Sequence, residues 1–442
     1  MLGYEMRLAL SSMRRTPTLT ALMISAIGLG ISVCIVTLTV HHAMGGNPIW
    51  WKNNVLYAIT MDSRDLQPSG DLPDAATTPD QLSYRDATYL YGSSIPRRKA
   101  ILATVSGWLG GVPGQAGPAR IRARATSGDF FRMFDVSFEY GGPWDTAADR
   151  GPEPVLVLSR EENEKLFGGA DSVGRSILFN NRLFRIVGVV GRWNPQPRYY
   201  DMTVDAFDDP DDAFIPFGWD EQLGLLPHGH SSCWGSENPR TFGQLTGSSC
   251  VWLLLWAELP TAASRGRFQA FVDSYWAAQH KMGRFQRPRD NRLWRVDQWL
   301  KHHHVVSDQS RLLLRLAFAF LAVCLINTIG IELTKFLRLA PFTGIRRALG
   351  ASRRHIFQQH FVETALIALA GSALGLALSW AELGAIHALY TASGDDYGRL
   401  ARFDPLDVLW ALGLAALATL IAGLYPAWRI GRVPPAIYLK SQ

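Results

Sequence analysis

Four groups of side chains have the types and spacing that chemistry requires. The densest is acidic: Asp201, Asp205, Asp208, Asp209, Asp211 and Asp212. Clustered carboxylates bind calcium when a glycine turn and a terminal glutamate stand at fixed offsets; neither is present here, so the expectation is a solvated acidic loop. His302-His303-His304 supplies imidazoles for a metal or for pH sensing. Adjacent side chains on one strand or helix diverge and do not readily share an ion, so the expectation there is a polar collar at lipid headgroups. His41-His42 lies at the matching end of the first apolar run, and Trp50, Trp51, Trp294 and Trp299 fit the same collar as interfacial aromatics. Cys233 and Cys250 flank a loop rich in Gly, Ser and Asn. An oxidising compartment would join them, and a reducing one would leave two free thiols. Asn327, Glu363 and Glu382 fall inside apolar runs, where polar groups are functional candidates by default. For Glu363 the two readings are a structural hydrogen bond between helices and proton coupling. No spacing ties Ser, His and Asp into a triad. No GxxxxGK[ST] occurs, so the chain has no phosphate cradle of its own, and no cofactor or metal is expected on it.

The elements that carry these groups follow from the distribution of apolar residues. Hydrophobic residues make up 48% of the 442 positions, but they are segregated. Charge-free sequence at 18–40 is long enough to cross about 30 Å of hydrocarbon. Further apolar runs lie at roughly 312–333, 361–386 and 406–428. The second carries Arg315, Asn327 and Glu332, and its neighbours favour a membrane reading over a buried soluble helix. The first run is too long for a signal peptide and lacks a small-x-small cleavage site, so it reads as an uncleaved helix. Basic residues set the orientation. Arg7, Arg14 and Arg15 precede the first run, six Lys or Arg lie between the second and third, and Arg429, Arg432 and Lys440 follow the fourth. Both termini and the 335–360 loop are therefore expected in the cytoplasm, with 44–308 on the far side. The net charge of +6 and pI near 9.2 are accounted for by arginines near anionic lipid and call for no nucleic acid.

The outer stretch alternates strand and helix signals and reads as α+β. Residues 55–60 read as a strand. So do 119–125, where Arg120, Arg122 and Arg124 alternate with small or apolar residues as on a half-exposed strand. A short helix is expected at 129–134. The unit 154–190 reads as a buried strand, a helix opened by a Ser159/Glu162 capping box and closed at Gly168-Gly169, then a hairpin across Asn180-Asn181. Another strand is expected at 250–258, a helix at 265–282, and 293–300 leads back towards the membrane.

Between the second and third runs lies a short basic amphipathic segment: Gly344, Ile345, Arg346, Arg347, Ala348, Leu349, Gly350, Ala351, Ser352, Arg353, Arg354, His355 and Ile356. Ile345, Leu349, Ile356 and Phe357 can line one helical side, with the arginines elsewhere. Gly350 permits a bend or a close backbone approach. With no phosphate cradle on the chain, such a segment would be moved by a separate ATPase.

The whole layout resembles the permease subunits of MacB-like, FtsX/LolC-like ABC transporters, the mechanotransmission or type VII class. Four places carry the resemblance. They are 7–17 (RLALSSMRRTP), the run from Pro154-Val155-Leu156-Val157-Leu158-Ser159 through Leu166-Phe167-Gly168-Gly169 to 184–190, the segment 344–359, and Tyr425-Pro426-Ala427-Trp428-Arg429 with Pro434-Pro435-Ala436. The resemblance implies a cytoplasmic amphipathic helix at 1–17 and transmembrane helices at 18–43, 309–334, 361–387 and 405–428. It implies a periplasmic core at 44–308, porter-like at about 50–120 and 250–305 with an inserted part at about 125–245. The cytoplasmic coupling segment would be 335–360, the periplasmic loop 388–404 and the cytoplasmic tail 429–442. The setting implied is the bacterial inner membrane. The implied partners are an ABC ATPase subunit holding ATP and Mg, and a second permease copy or a paralogous permease. A periplasmic adaptor and an outer-membrane duct belong to the export form of such assemblies. Pro341-Phe342-Thr343 stands where the family often has an acidic residue, a departure that hints at an asymmetric pair. Three functions compete: export of peptides, antibiotics or other amphiphiles; release of lipoproteins from the inner membrane; and non-transport regulation of a cell-wall hydrolase or sensor kinase. The large outer stretch favours export.

Overall fold

Residues 1, 65–77, 112–116, 152, 235–236, 306–307, 349–351, 394–408, 411–412, 415, 418–420 and 422–442 aside, the chain is described by a computed structural model. It divides into two units, Met1–Gly45 with Val306–Gln442, and Gly46–Val305. In chain order the first unit contributes α1 (Leu2–Arg15) and α2 (Pro17–Gly45). The second holds strands β1 (Leu56–Thr60), β2 (Leu82–Ser83), β3 (Arg98–Gly110), β4 (Ala119–Thr126), β5 (Phe138–Gly141), β6 (Val155–Leu158), β7 (Ser176–Phe179), β8 (Arg182–Val190), β9 (Ala213–Pro216), β10 (Val251–Glu258) and β11 (Arg292–Arg295). Its helices are α3 (Tyr84–Tyr91), α4 (Asp129–Met133), α5 (Thr146–Arg150), α6 (Arg160–Phe167), α7 (Gly218–Leu223), α8 (Phe242–Gly247), α9 (Ala262–Lys281) and α10 (Val296–His302). The chain then returns to the first unit as α11 (Asp308–Ala348) and α12 (Arg353–Ser393).

An apolar run in lipid can satisfy its backbone only within itself, which makes it a helix. Among the described residues three helices, Pro17–Gly45, Gln309–Lys335 and Arg354–Ala388, are long and apolar enough to cross a membrane. The fourth expected span, 406–428, lies almost wholly outside the described residues. The α2 helix packs along both α11 and α12. Its approach to α12 depends on glycine: a Cβ on Gly375 would fall 2.8 Å from the Gly28 carbonyl oxygen, and one on Gly371 would fall 2.7 Å from Ile27 Cγ2. Small residues four apart let two backbones meet where no hydrophobic effect drives them together. Met23, Ile27, Ile31, Ala317, Leu321 and Ile367 fill the resulting core.

The outer unit is one 11-stranded sheet in the order β11-β1-β10-β3-β4-β9-β6-β8-β5, with β2 on β10 and β7 on β3 and β8. Only β4–β9 and β6–β8 pair in parallel. The strand β10 is buried at all eight positions, which is why 251–257 reads as an unbroken apolar run. Asn180 and Asn181 adopt φ of 46° and 63°, as a two-residue turn with the right twist requires. Ser159 Oγ caps α6 by accepting from the Glu162 amide at 3.0 Å. The Glu162 carboxylate, itself buried, takes Lys165 Nζ at 3.1 Å, so the expected capping box is half formed.

Two expectations are corrected here. The acidic loop is solvated only in part, with Asp209 exposed and Asp205, Asp208 and Asp212 half-buried. Asp201 and Asp211 are fully buried, with Arg124 Nη2 2.7 Å from Asp201 and Arg198 Nη2 2.8 Å from Asp211. Arg122 takes Asp208 at 2.5 Å, and its amide donates to Asp212 at 2.9 Å. The strand bearing these arginines is accordingly not half exposed at its far end, where Arg124 is 0% exposed. The cause is the parallel β4–β9 pairing, which sets Ala123 opposite Ala213 and brings the acidic stretch just before β9 alongside the arginines. The second correction concerns the collar. His302 Nε2 lies 2.8 Å and His303 Nε2 3.6 Å from the same carboxylate, Asp80. His302 stacks on Trp294 at 4.5 Å, and His303 meets Trp299, itself 1% exposed, edge-on at 4.2 Å. His302 and His303 are half-buried against the outer unit where α10 ends, while His304, Trp50 and Trp51 remain exposed.

Candidate coupling site

The segment 344–356 is not one amphipathic helix. Gly344, Ile345, Arg346, Arg347 and Ala348 form the last turns of α11, which continues through Pro341. Leu349, Gly350 and Ala351 lie outside the described residues. Ser352 opens the next helix, its hydroxyl accepting from the His355 amide at 3.2 Å, and Arg353, Arg354 and Ile356 form the first turn of α12. Ile345 therefore sits on one helix and Ile356 and Phe357 on another, so no single helical side collects them. A serine followed by strong helix formers carried the signal for this break. Arg354 is exposed and Ile356 is 2% exposed, so the first turn of α12 already divides a polar face from a packed one.

The two helices that meet at this tip are 41 residues each, roughly 60 Å at the helical rise, about twice the hydrocarbon thickness. Just inside the tip they are tied together. Lys335 Nζ on α11 lies 2.5 Å from Glu363 Oε1 on α12, and both side chains are 2% exposed. One turn further along, the Thr364 hydroxyl donates to Glu332, and His360 Nδ1 stands 3.9 Å from Glu363 Oε2. Removing charges from water costs several kcal/mol per ion, so such a pair holds only where geometry is fixed. Breaking one partner leaves the other buried and unpaired.

The structure thus places Glu363 in an interhelical ion pair. Asn327, in contrast, is exposed on α11. Glu382 accepts from Ser32 Oγ on α2 at 3.0 Å. The partners Lys335, Thr364 and His360 escaped sequence reading. Lys335 reads as the first residue of a basic loop, yet it is a buried helix residue. The available signal was spacing: Glu332 and Lys335 are three apart and His360, Glu363 and Thr364 span four, so each set shares a helix face. The amphipathic α1 packs against α12 and buries Ala9 completely.

In the outer unit Cys233 and Cys250 form a disulfide, with their Cα atoms 4.1 Å apart. It closes the loop that leads into β10, where Ser232 and Val251 exchange backbone hydrogen bonds of 3.1 and 2.8 Å. Among the described residues no group of three or more His, Cys, Asp or Glu is placed to hold a metal ion.

Two family profiles match the chain: the MacB-like periplasmic core domain over residues 20–238 and the FtsX-like permease C-terminal region over 314–435. Curated relatives include the macrolide export ATP-binding/permease protein MacB of Escherichia coli strain K12, 26% identical over 327 residues, and that of Wolinella succinogenes, 23% identical over 321 residues. Each alignment covers 72% of this chain and 43% of the relative, so the chain spans under half the length of the curated relatives it matches. Among solved structures, the periplasmic region of MacB from Actinobacillus actinomycetemcomitans aligns at 14% identity and a TM-score of 0.35. That alignment covers 57% of this chain and 94% of that one. The extracellular domain of the Gram-positive transporter YknZ aligns at 10% identity and a TM-score of 0.33, covering 54% and 99%.

Proposed function

Because this chain belongs to the MacB-like, FtsX-like ABC-transporter permeases, we propose that it converts the work of a separate ATPase subunit into movement of its outer unit. The reading is export of peptides, antibiotics or other amphiphiles, in keeping with relatives that are named for macrolide export. The chain lies in the bacterial inner membrane with both termini and the 335–360 tip in the cytoplasm. ATP and Mg are held by the partner, and the permease works as a pair, with itself or with a paralogue. The observation that carries this reading is the Lys335–Glu363 tie just inside the tip of α11 and α12. A partner gripping the tip grips two spans that are already locked to each other. It therefore moves them as one body, and α2, packed along both, goes with them.

The test is reconstitution with the partner ATPase subunit. Ala348→Asp or Gly350→Asp is expected to lower the permease's stimulation of ATP hydrolysis several-fold, with membrane insertion unchanged. Stimulation that persists at the parental level in both variants refutes the assignment. Export is tested separately, by growth of cells carrying the intact pair in macrolides and amphiphilic peptides; failure there removes the cargo class and leaves the coupling role standing.

A further inference from the structure

A groove of about 450 Å³ opens in the outer unit between the edge of the sheet and the first turns of α9. Its lining is Tyr57, Arg265, Gly266, Gln269, Leu293, Arg295 and Gln298. Two guanidinium groups, two carboxamides and a phenol line it, and no carboxylate does. Elsewhere on this unit Arg122, Arg124, Arg198 and Arg284 each hold an aspartate. Arg265 differs. It is exposed, and the partner found for it is the Tyr57 hydroxyl, to which Nη1 donates at 3.4 Å. That hydroxyl donates in turn to the Asn54 carbonyl at 3.0 Å, which fixes the ring beneath the arginine.

The far wall is also prepared for an acceptor. The Arg295 amide donates to Gln298 Oε1 at 3.3 Å, which occupies the oxygen of that carboxamide and leaves its NH2 group for another molecule. The Arg295 guanidinium donates through Nη2 to Asp297 at 3.2 Å, its Nε stands 3.2 Å from the same carboxylate without a hydrogen bond, and its Nη1 is spare. Gln269 turns its NH2 away, towards Asp273 at 3.0 Å. Gly266 keeps the helix surface between Arg265 and Gln269 low: a Cβ there would meet nothing within 4 Å. Guanidinium forks and an amide NH2 converging on a concave surface suit a multivalent oxyanion, since each donor takes a separate oxygen.

We propose that this groove binds a phosphate-class anion, with Arg265 as the principal contact and Arg295 and Gln298 completing the cradle. The anion is either a soluble phosphate or the phosphodiester of a lipid headgroup. The two sources share one chemistry, and the test below separates them. The proposal stands apart from the coupling role: neither Arg265 nor Gln298 belongs to the membrane unit.

The experiment uses the full chain in phosphatidylcholine nanodiscs at low salt. One arm titrates inorganic phosphate calorimetrically. The other measures co-flotation with vesicles of phosphatidylcholine and phosphatidylglycerol at 7:3, against vesicles of phosphatidylcholine alone. Saturable binding in either arm is expected, weakened at least tenfold by Arg265→Gln and largely restored by Arg265→Lys. Binding confined to phosphate identifies a soluble ligand; binding confined to the anionic vesicles identifies the headgroup. No saturable binding in either arm overturns the proposal. So does binding that Arg265→Gln/Arg295→Gln leaves unchanged while the variant keeps the parental thermal midpoint.

Discussion

Asp220 is a carboxylate in the interior of the outer unit, 0% exposed, and neither oxygen has a hydrogen-bond partner among the described residues. It is the third residue of α7, where an acidic side chain normally reaches back to the amide before the helix. That amide, of Phe217, donates instead to the Thr126 carbonyl at 2.9 Å, and the carboxylate is stranded. Burial pushes its pKa well above the ordinary value. The folded chain therefore keeps a proton that the unfolded chain gives up near pH 4, so stability falls as pH rises through that window, by about 1.4 kcal/mol per pH unit. Asp220→Asn removes this slope. Denaturation of the full chain in nanodiscs should show the variant matching the parent near pH 4 and exceeding it at pH 7.5. Equal stability at both pH values would contradict the assignment. The opposite case is Asp201 and Asp211. Burial alone would raise both, but Arg124 and Arg198 outweigh it and hold both below the usual carboxylate range. Their contribution is present above pH 4 and is lost as pH falls below it. Arg124→Met leaves two buried carboxylates with one arginine between them, and a loss of about 3–5 kcal/mol at pH 7 is expected in the same measurement.

At the scale of elements, helix contact in the membrane unit depends on absent side chains. Gly375→Val would place a methyl group against the Gly28 backbone and force α2 and α12 apart, at a cost of about 1–3 kcal/mol. Gly384→Ala, on the same helix with nothing within 4 Å of its Cβ, should leave the thermal midpoint in detergent where it is. A drop in both variants would show that the loss does not come from the Gly28–Gly375 approach, since both changes raise helix propensity. The same elements show what sequence reading can and cannot reach. The apolar helices, the β6–α6 unit, the Asn180-Asn181 hairpin and the cysteine pair at 233 and 250 were legible, because each depends on local pattern. Arg124 was not. On its own strand it alternates like a surface residue, and only the pairing of β4 with β9, ninety residues on, supplies the carboxylates that let it be buried. His302 and His303 were misplaced for the same reason, since Asp80 reaches them from the other end of the unit. That α11 ends at Ala348 and α12 starts at Arg353 was missed because arginine and alanine on both sides favour helix equally well.

For the whole molecule, the question is whether the Lys335–Glu363 pair holds the bundle together or carries motion through it. Stability and coupling separate in a double-mutant cycle. Lys335→Met alone strands Glu363 in an apolar setting, and Glu363→Leu alone strands Lys335; each should lower the thermal midpoint and the stimulation of the partner ATPase together. The double variant Lys335→Met/Glu363→Leu replaces a buried ion pair by apolar side chains of similar volume, a change that is often neutral or stabilising. It should recover the midpoint. If the pair does no more than fill space, stimulation recovers with it. If two helix tips must turn as one body, an apolar contact that can slide is a poor substitute for a directional one, and stimulation stays several-fold below the parent in a protein that is otherwise sound. The second outcome is the one expected, because the pair stands nine residues from the first tip position, Gly344, close enough that slippage there is lost before it reaches α2. Parallel recovery of stability and stimulation would move the transmission step elsewhere in the bundle, with the Glu332–Thr364 contact one turn along as the next position to cut.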